Sequence, residues 1–264
     1  MEKKLIAVDL DGTLLNDQMT LSAFSCEILT ALLAQGHIVV LASGRPPRAL
    51  YPFYEAIGST CPIIAYNGML VTNPQDPAFP EEKRVFPKEA IQRIAAKSHS
   101  LVSSMESESE KMIYLLRNDA YLEKYFPHRF YPHVIGPIEN TLQEDPFTAV
   151  FRSVHSKDVA LRSLVEQEKG IQLRPWSRSF YSEAHYPDVS KGSALLYLER
   201  TYGFSPTDVY AFGDSENDRE MLKEAGHPFA VFHCKSHALS RDFPVTEKSN
   251  DQDGVALTLQ KELL

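Results

Sequence analysis

Four apolar runs in this chain each end on a polar residue. "LIAVD" ends on Asp9, "HIVVLAS" on Ser43, "PIIAYN" on Asn67 and "DVYAFGD" on Asp214. A short run with no polar alternation is a strand covered on both faces. Stretches of helical periodicity separate the runs, so the pattern predicts a parallel sheet with helices on each side. In open sheets of this kind, ligands sit in the crevice outside the carboxyl ends of the strands. Four polar tips on such strands therefore describe one pocket.

The strand–helix alternation is interrupted once. "TLSAFSCEILTALLAQG" and "PPRALYPFYEAIG" are predicted helices, the second irregular at Pro52, and the Pro-rich "NPQDPAFPEEK" ties a short β-pair beyond Gly68. From about Phe86 helices alternate instead with hairpin-like strands: "KEAIQRIAAKS" is a helix, and "KMIYLLR", "TAVFRSV", "IQLRPWS" and "SFYSEAHY" are strands. That is the grammar of an α+β domain with an antiparallel sheet. The "ESESE" run at 106–110 reads as a solvated hairpin tip. After Pro187 the first pattern returns through "KGSALLYLERTYG", "DVYAFGD", "ENDREMLKEAG", "PFAVF", a short "FPVT" strand and a last helix, "GVALTLQKEL". The expected organisation is an α/β, Rossmann-like core made of residues 1–83 and 188–264, with an α+β domain inserted at 84–187.

Composition narrows the partners. Lys plus Arg number 27 against 35 Asp plus Glu, a net charge of -8. Nucleic acid needs a basic face, which argues against it as the main partner. A small phosphorylated ligand needs only local positive charge. The apolar run near the start meets Asp9 too soon for a signal peptide, and no stretch approaches a membrane span. The three cysteines, Cys26, Cys61 and Cys234, form no paired spacing. The expectation is a cytoplasmic protein with reduced thiols. His227, His233 and His237 lack metal-ligand spacing and read as surface or loop residues.

Asp9 and Asp11 leave one buried strand with a single leucine between them, and like charges so close repel. A hard cation resolves the conflict. Mg2+ takes carboxylates, carbonyls, waters and substrate phosphate as ligands. Asp9 and Asp214 can supply carboxylates, the Asp11 backbone a carbonyl, and Asp218 can hold a metal-bound water. A carboxylate with an ordinary pKa of about 3.9 is ionised at neutral pH, so Asp9 suits attack on phosphorus. Asp11, two residues on, can give the leaving alcohol its proton and later take one from water. Ser43 and the amides of the "DGT" turn suit phosphate oxygens, and Lys191 places positive charge beside Asp9.

"DLDGTLL", "ASGR", "SKG" and "GDSEND", in that order, resemble the four motifs of the haloacid dehalogenase-like hydrolases. The position of the insert between "ASGR" and "SKG" resembles the Cof-type branch with a C2 cap, subfamily IIB. The resemblance covers essentially the whole chain. It implies a Mg2+-dependent phosphatase with Asp9 as nucleophile, Asp11 as acid/base, Lys191 as the stabilising lysine, and Asp9, Asp11, Asp214 and Asp218 around the metal. Substrate and phosphate contacts fall to Leu10, Gly12, Thr13, Ser43, Gly44, Arg45, Asn67 and Asn217. The substrate implied is a small phosphorylated metabolite, a sugar phosphate first. A phosphomutase, or a non-catalytic binder on the same scaffold, is the alternative. One departure bears on fine positioning: where a "GVAMGNA"-like stretch is usual, this chain has "FAVFHCKSHAL", with Phe232 and Cys234 replacing Met and Asn. In the insert, Tyr181, Glu183 and His185 alternate on one predicted strand that leads toward Lys191, which makes Glu183 and His185 candidate substrate contacts.

Overall fold

The computed structural model describes residues 2–176 and 180–264. It divides into two units, Met1–Lys83 with Val189–Leu264, and Arg84–Asp188. In the first unit, β1 (Leu5–Asp9) leads through α1 (Ala23–Ala34) to β2 (Ile38–Ala42), and α2 (Pro47–Ala56) leads to β3 (Ile63–Ala65). A tight turn then gives β4 (Leu70–Thr72) and β5 (Glu82–Lys83). The inserted unit contains α3 (Lys88–Ser98), β6 (Val102–Glu108), β7 (Ile113–Leu115), α4 (Leu122–Tyr125), β8 (His133–Ile135) and α5 (Ile138–Thr141). It continues with β9 (Thr148–Ser153), α6 (Asp158–Val165), β10 (Gln172–Pro175) and β11 (Tyr181–His185). The chain returns to the first unit with α7 (Lys191–Tyr202), β12 (Val209–Gly213), α8 (Arg219–Glu224), β13 (His227–Ala230), α9 (Leu239–Asp242) and α10 (Gly254–Leu263).

The first unit's sheet runs β13-β12-β1-β2-β3-β4-β5, with β13 through β3 parallel and the last two strands antiparallel. Alternate residues of β1 enter two different cores, as a doubly covered strand requires. Ile6 and Val8 pack with Ile28, Leu29 and Leu32 of α1 and Val255 and Leu259 of α10. Leu5 and Ala7 pack with Leu195 and Leu198 of α7 and Met221 of α8. The order reverses at β1: β2 and β3 build to one side, β12 and β13 to the other. That reversal is the switch point at which open sheets bind ligands. Asp9 and Asp214 lie at the two strand ends that flank it.

The inserted unit's sheet runs β10-β11-β9-β6-β7-β8 and is antiparallel except between β7 and β8. Here one expectation fails. Glu106 and Glu108 are not a solvated tip: both are fully buried in β6, paired with Val150 and Thr148 of β9. The run turns only at Ser109, whose amide bonds to the Met112 carbonyl. The expected "FPVT" strand reduces to a single bridge between Ala230 and Val245, since Pro244 has no amide to extend the ladder. Parts of the predicted strands "IQLRPWS" and "SFYSEAHY" at 177–179 lie outside the described residues. No described helix is long and apolar enough to cross a membrane.

Candidate active site

The chain leaves β1 through a turn that only glycine can complete. Gly12 has φ +89, and a Cβ there would stand 2.4 Å from an Asp214 carboxylate oxygen. Leu10 buries its side chain in the core, while its carbonyl accepts the amides of Thr13, Leu14 and Leu15 and closes the turn. Thr13 is buried, and its hydroxyl has no hydrogen-bond partner among the described residues.

The third strand ends in a second strained turn. Tyr66 and Asn67 hold φ of 49 and 56, and Gly68 one of 98. A Cβ on Gly68 would come 2.2 Å from the carbonyl oxygen of Ser190, which caps α7. The close approach seats the helix whose first residue is Lys191. Ser190 and Ser193 form a capping box there, satisfying the amides that a helix start leaves open.

Lys191 is fully buried, and its Nζ donates to Asp9 Oδ1 and Asp218 Oδ1, each at 2.6 Å. Burial works against its charge, but the carboxylates of Asp218 and Asp9 outweigh it and raise its pKa. Asp218 Oδ2 accepts the backbone amides of Asp214 and Ser215, both at 3.0 Å. Asp218 is therefore a positioning residue: it fixes the lysine on one oxygen and the turn after β12 on the other.

Oxygens of Asp9, Asp214 and Asp218, all buried, lie within 4.8 Å of one another. Burial, then the charge of Asp218, pushes the Asp9 carboxyl well above the ordinary carboxylate range despite Lys191. Asp214 is raised as well, by burial first, with Lys235 opposing. The expectation of an ordinary, freely ionised Asp9 thus needs further positive charge to hold. An ammonium already stands in the cluster: Lys235 Nζ lies 2.8 Å from the Asp11 carbonyl oxygen and 3.0 Å from Asp214 Oδ2. Hard oxygen donors, excess negative charge and a cation already resting on two of them fit a Mg2+ site.

The side chain of Asp11 is turned to a different partner. Arg45 grips its carboxylate at two points, Nε on Oδ2 at 2.8 Å and Nη2 on Oδ1. Ser43 is buried at the end of β2, and its Oγ accepts the Arg45 amide at 3.2 Å. A Cβ on Gly44 would come within 2.8 Å of the Asn67 amide nitrogen, and Asn217 Nδ2 donates to Asn67 Oδ1 at 2.9 Å. The structure thus gathers the core candidates from five separate chain segments.

Glu183 and His185 belong to the inserted unit, on β11. Glu183 is buried, and its carboxylate accepts from Arg174 and, at 2.9 Å, from Trp176 Nε1. The neighbouring Tyr181 hydroxyl donates to Asp119 at 2.8 Å. Burial, then Arg174, lowers the pKa of His185. Motif reading draws attention to Phe232 and Cys234 and passes over Lys235 beside them. Phe232 is exposed, while Cys234 is buried with its Sγ on the Ser236 carbonyl.

A sequence model of the haloacid dehalogenase-like hydrolases matches residues 6–259. The chain is 31% identical over 268 residues to the 5-amino-6-(5-phospho-D-ribitylamino)uracil phosphatase YitU of Bacillus subtilis, covering 99% of this chain and 98% of that one. It is 25% identical to the pyridoxal phosphate phosphatase YbhA of Escherichia coli over the full length of both. Among solved structures, a haloacid dehalogenase-like hydrolase from Bacteroides thetaiotaomicron superposes with a TM-score of 0.85 at 24% identity, covering 98% of this chain and 99% of that one.

Proposed function

The chain belongs to the haloacid dehalogenase-like hydrolases, and we propose that this phosphatase cleaves a phosphate monoester of a small sugar- or polyol-bearing metabolite, using Mg2+ and a phosphoryl group carried on Asp9. The observation that carries the reading is the convergence of Asp9, Asp214 and Asp218 at the sheet's switch point, with Lys191 on two of them. When bound by Asp9, Asp214 and the Asp11 carbonyl, with Asp218 in support, Mg2+ supplies charge that offsets both the carboxylates and the incoming phosphate.

Asp9 attacks phosphorus through a carboxylate oxygen, the bond from phosphorus to the leaving oxygen breaks, and Asp11 protonates that oxygen. Asp11 then takes a proton from water, whose oxygen attacks phosphorus and frees Asp9. Its carboxyl becomes available once Arg45 turns from it to the incoming phosphate, a competing anion of matching geometry. Lys191 holds Asp9 in position and stabilises the transferring group. Ser43, Thr13 and the amides around Gly12 and Gly44 bind its oxygens, with Asn67 and Asn217 fixing the pocket wall. The orphan Thr13 hydroxyl supports that assignment. Glu183 and His185 contribute selectivity for the leaving group.

The substrate class rests on a relative named for a phosphoribityl compound that matches along nearly its whole length. The test is phosphate release from a panel of ribityl, hexose and pyridoxal phosphates, with Mg2+ and after chelation. Metal-dependent turnover that favours the polyol and sugar esters supports the reading. Full turnover after rigorous chelation overturns the metal assignment, and preference for pyridoxal phosphate overturns the substrate class.

A further inference from the structure

Lys235 holds the two oxygen atoms that the metal reading assigns to Mg2+ outside Asp9. Its Nζ is 2.8 Å from the Asp11 carbonyl and 3.0 Å from Asp214 Oδ2. The contact is built rather than incidental. The backbone of the loop is pinned to the end of β12 and the turn after it, since the Ser236 amide donates to the Asp214 carbonyl at 3.0 Å and the Val231 amide to the Gly213 carbonyl at 3.0 Å. His233 takes φ +63 in that loop, two residues before the lysine. The ammonium also fills the space beside Gly12, where a Cβ would stand 2.8 Å from Nζ.

We propose that Lys235 is an internal counter-cation that occupies the metal position in the metal-free enzyme and is displaced as Mg2+ binds. The proposal rests on the metal reading above. The two lysines of the cluster differ in the way this requires. Lys191 is fully buried between two carboxylates and has no route out. The Lys235 side chain is 44% exposed, so its flexible stem can swing the ammonium into water without disturbing the core. Charge balance gives the exchange its direction. Three buried carboxylates facing two ammoniums leave one negative charge uncompensated, and replacing Lys235 with a divalent ion leaves none. Without the lysine, the metal-free site carries two uncompensated charges in a buried setting. Lys235 thus keeps the metal-free fold intact and weakens Mg2+ affinity, because each ion must evict it.

Three measurements test this. By calorimetry, Lys235→Met is expected to bind Mg2+ about tenfold more tightly than the parent, and to melt lower without metal but not with it. In the unmodified protein, reductive methylation of Lys235, followed by peptide mass spectrometry, should rise severalfold when Mg2+ is added, while Lys191 stays unlabelled. Equal Mg2+ affinity in Lys235→Met and parent, or labelling of Lys235 that does not respond to Mg2+, overturns the proposal. Asp214→Asn separates the two readings. If it loses Mg2+ binding, the metal site stands whatever Lys235 does; if it binds Mg2+ like the parent, the metal site falls and this inference with it.

Discussion

Along β1, Leu5 to Val8 are apolar and fully buried, and charge begins only at Asp9, the last residue of the strand. In the inserted sheet, by contrast, Glu106 and Glu108 lie buried within β6, and Glu183 sits mid-strand in β11. The register explains the second pattern. Glu106 pairs with Val150, which pairs with Glu183, so these share one face; Met105 and Phe151 share the other. An antiparallel strand can keep an apolar and a polar face at once by alternating. A parallel strand between two helix layers has no such freedom, and its chemistry is pushed to its end. The core therefore concentrates charge at one point, and the insert spreads it over a surface. In the function proposed above, reactivity belongs to the first arrangement and selectivity to the second.

The largest effect should come from the concentrated charge. Asp9→Asn is expected to cut turnover by more than about a thousandfold, while circular dichroism shows an intact fold, since the amide is nearly isosteric and removes a buried negative charge. Phosphate release within a few-fold of the parent would break the comparison at its root. Next comes the scaffold that aims the cluster. Gly68→Ala forces a Cβ against the Ser190 carbonyl at a left-handed position, and should lose about 2–4 kcal/mol in denaturant unfolding. Turnover should fall with it, because the helix carrying Lys191 has to shift.

On the spread surface the effect should be smaller and of another kind. Glu183→Ala is expected to raise KM for the physiological substrate about tenfold, and to change hydrolysis of a small aryl phosphate by less than about twofold. Equal losses on both would place Glu183 in packing, where its bonds to Arg174 and Trp176 already hold it. The smallest effect concerns Glu199, a buried carboxyl on α7 remote in role from either pattern. Burial, then the charge of Glu224, raises its pKa to about 7. A folded-state pKa above the unfolded value of about 4.3 means that the folded form binds the extra proton, so stability falls as pH climbs through that window. Glu199→Gln removes the penalty. Its melting temperature should exceed the parent's by a few degrees (about 2–4 °C) at pH 8 and hardly differ at pH 4.

The runs that became β1, β2, β3 and β12 were legible because continuous apolar sequence has few other fates, and their polar tips were legible as the ends of those strands. β6 was not, since its two apolar residues, Val102 and Met105, stand three apart and fit no period-two alternation, and "ESE" adds none. Its burial comes from neighbours, β9 and β7, that only the fold supplies. Lys235 escaped for a similar reason: a lysine in a polar loop carries no pattern, and its meaning lies in contacts 224 residues away. The Arg45 grip on Asp11 was likewise invisible, because the motifs name the residues without saying which of them face each other at rest.

The position of β1 between β2 and β12 has a consequence for synthesis. One flank of β1 is covered as soon as β2 has left the ribosome. The other must wait until the entire inserted unit has been made and β12 follows it, with Leu5 meeting Val209 and Val8 meeting Phe212. Through that interval the nascent chain carries an unpaired, wholly apolar strand edge, the kind that templates aggregation. The inserted unit, contiguous in sequence, can close on itself during the wait. The switch point is thus also a seam that stays open until the whole inserted unit has been made, with β13 and α10 closing over it only after β12 has docked.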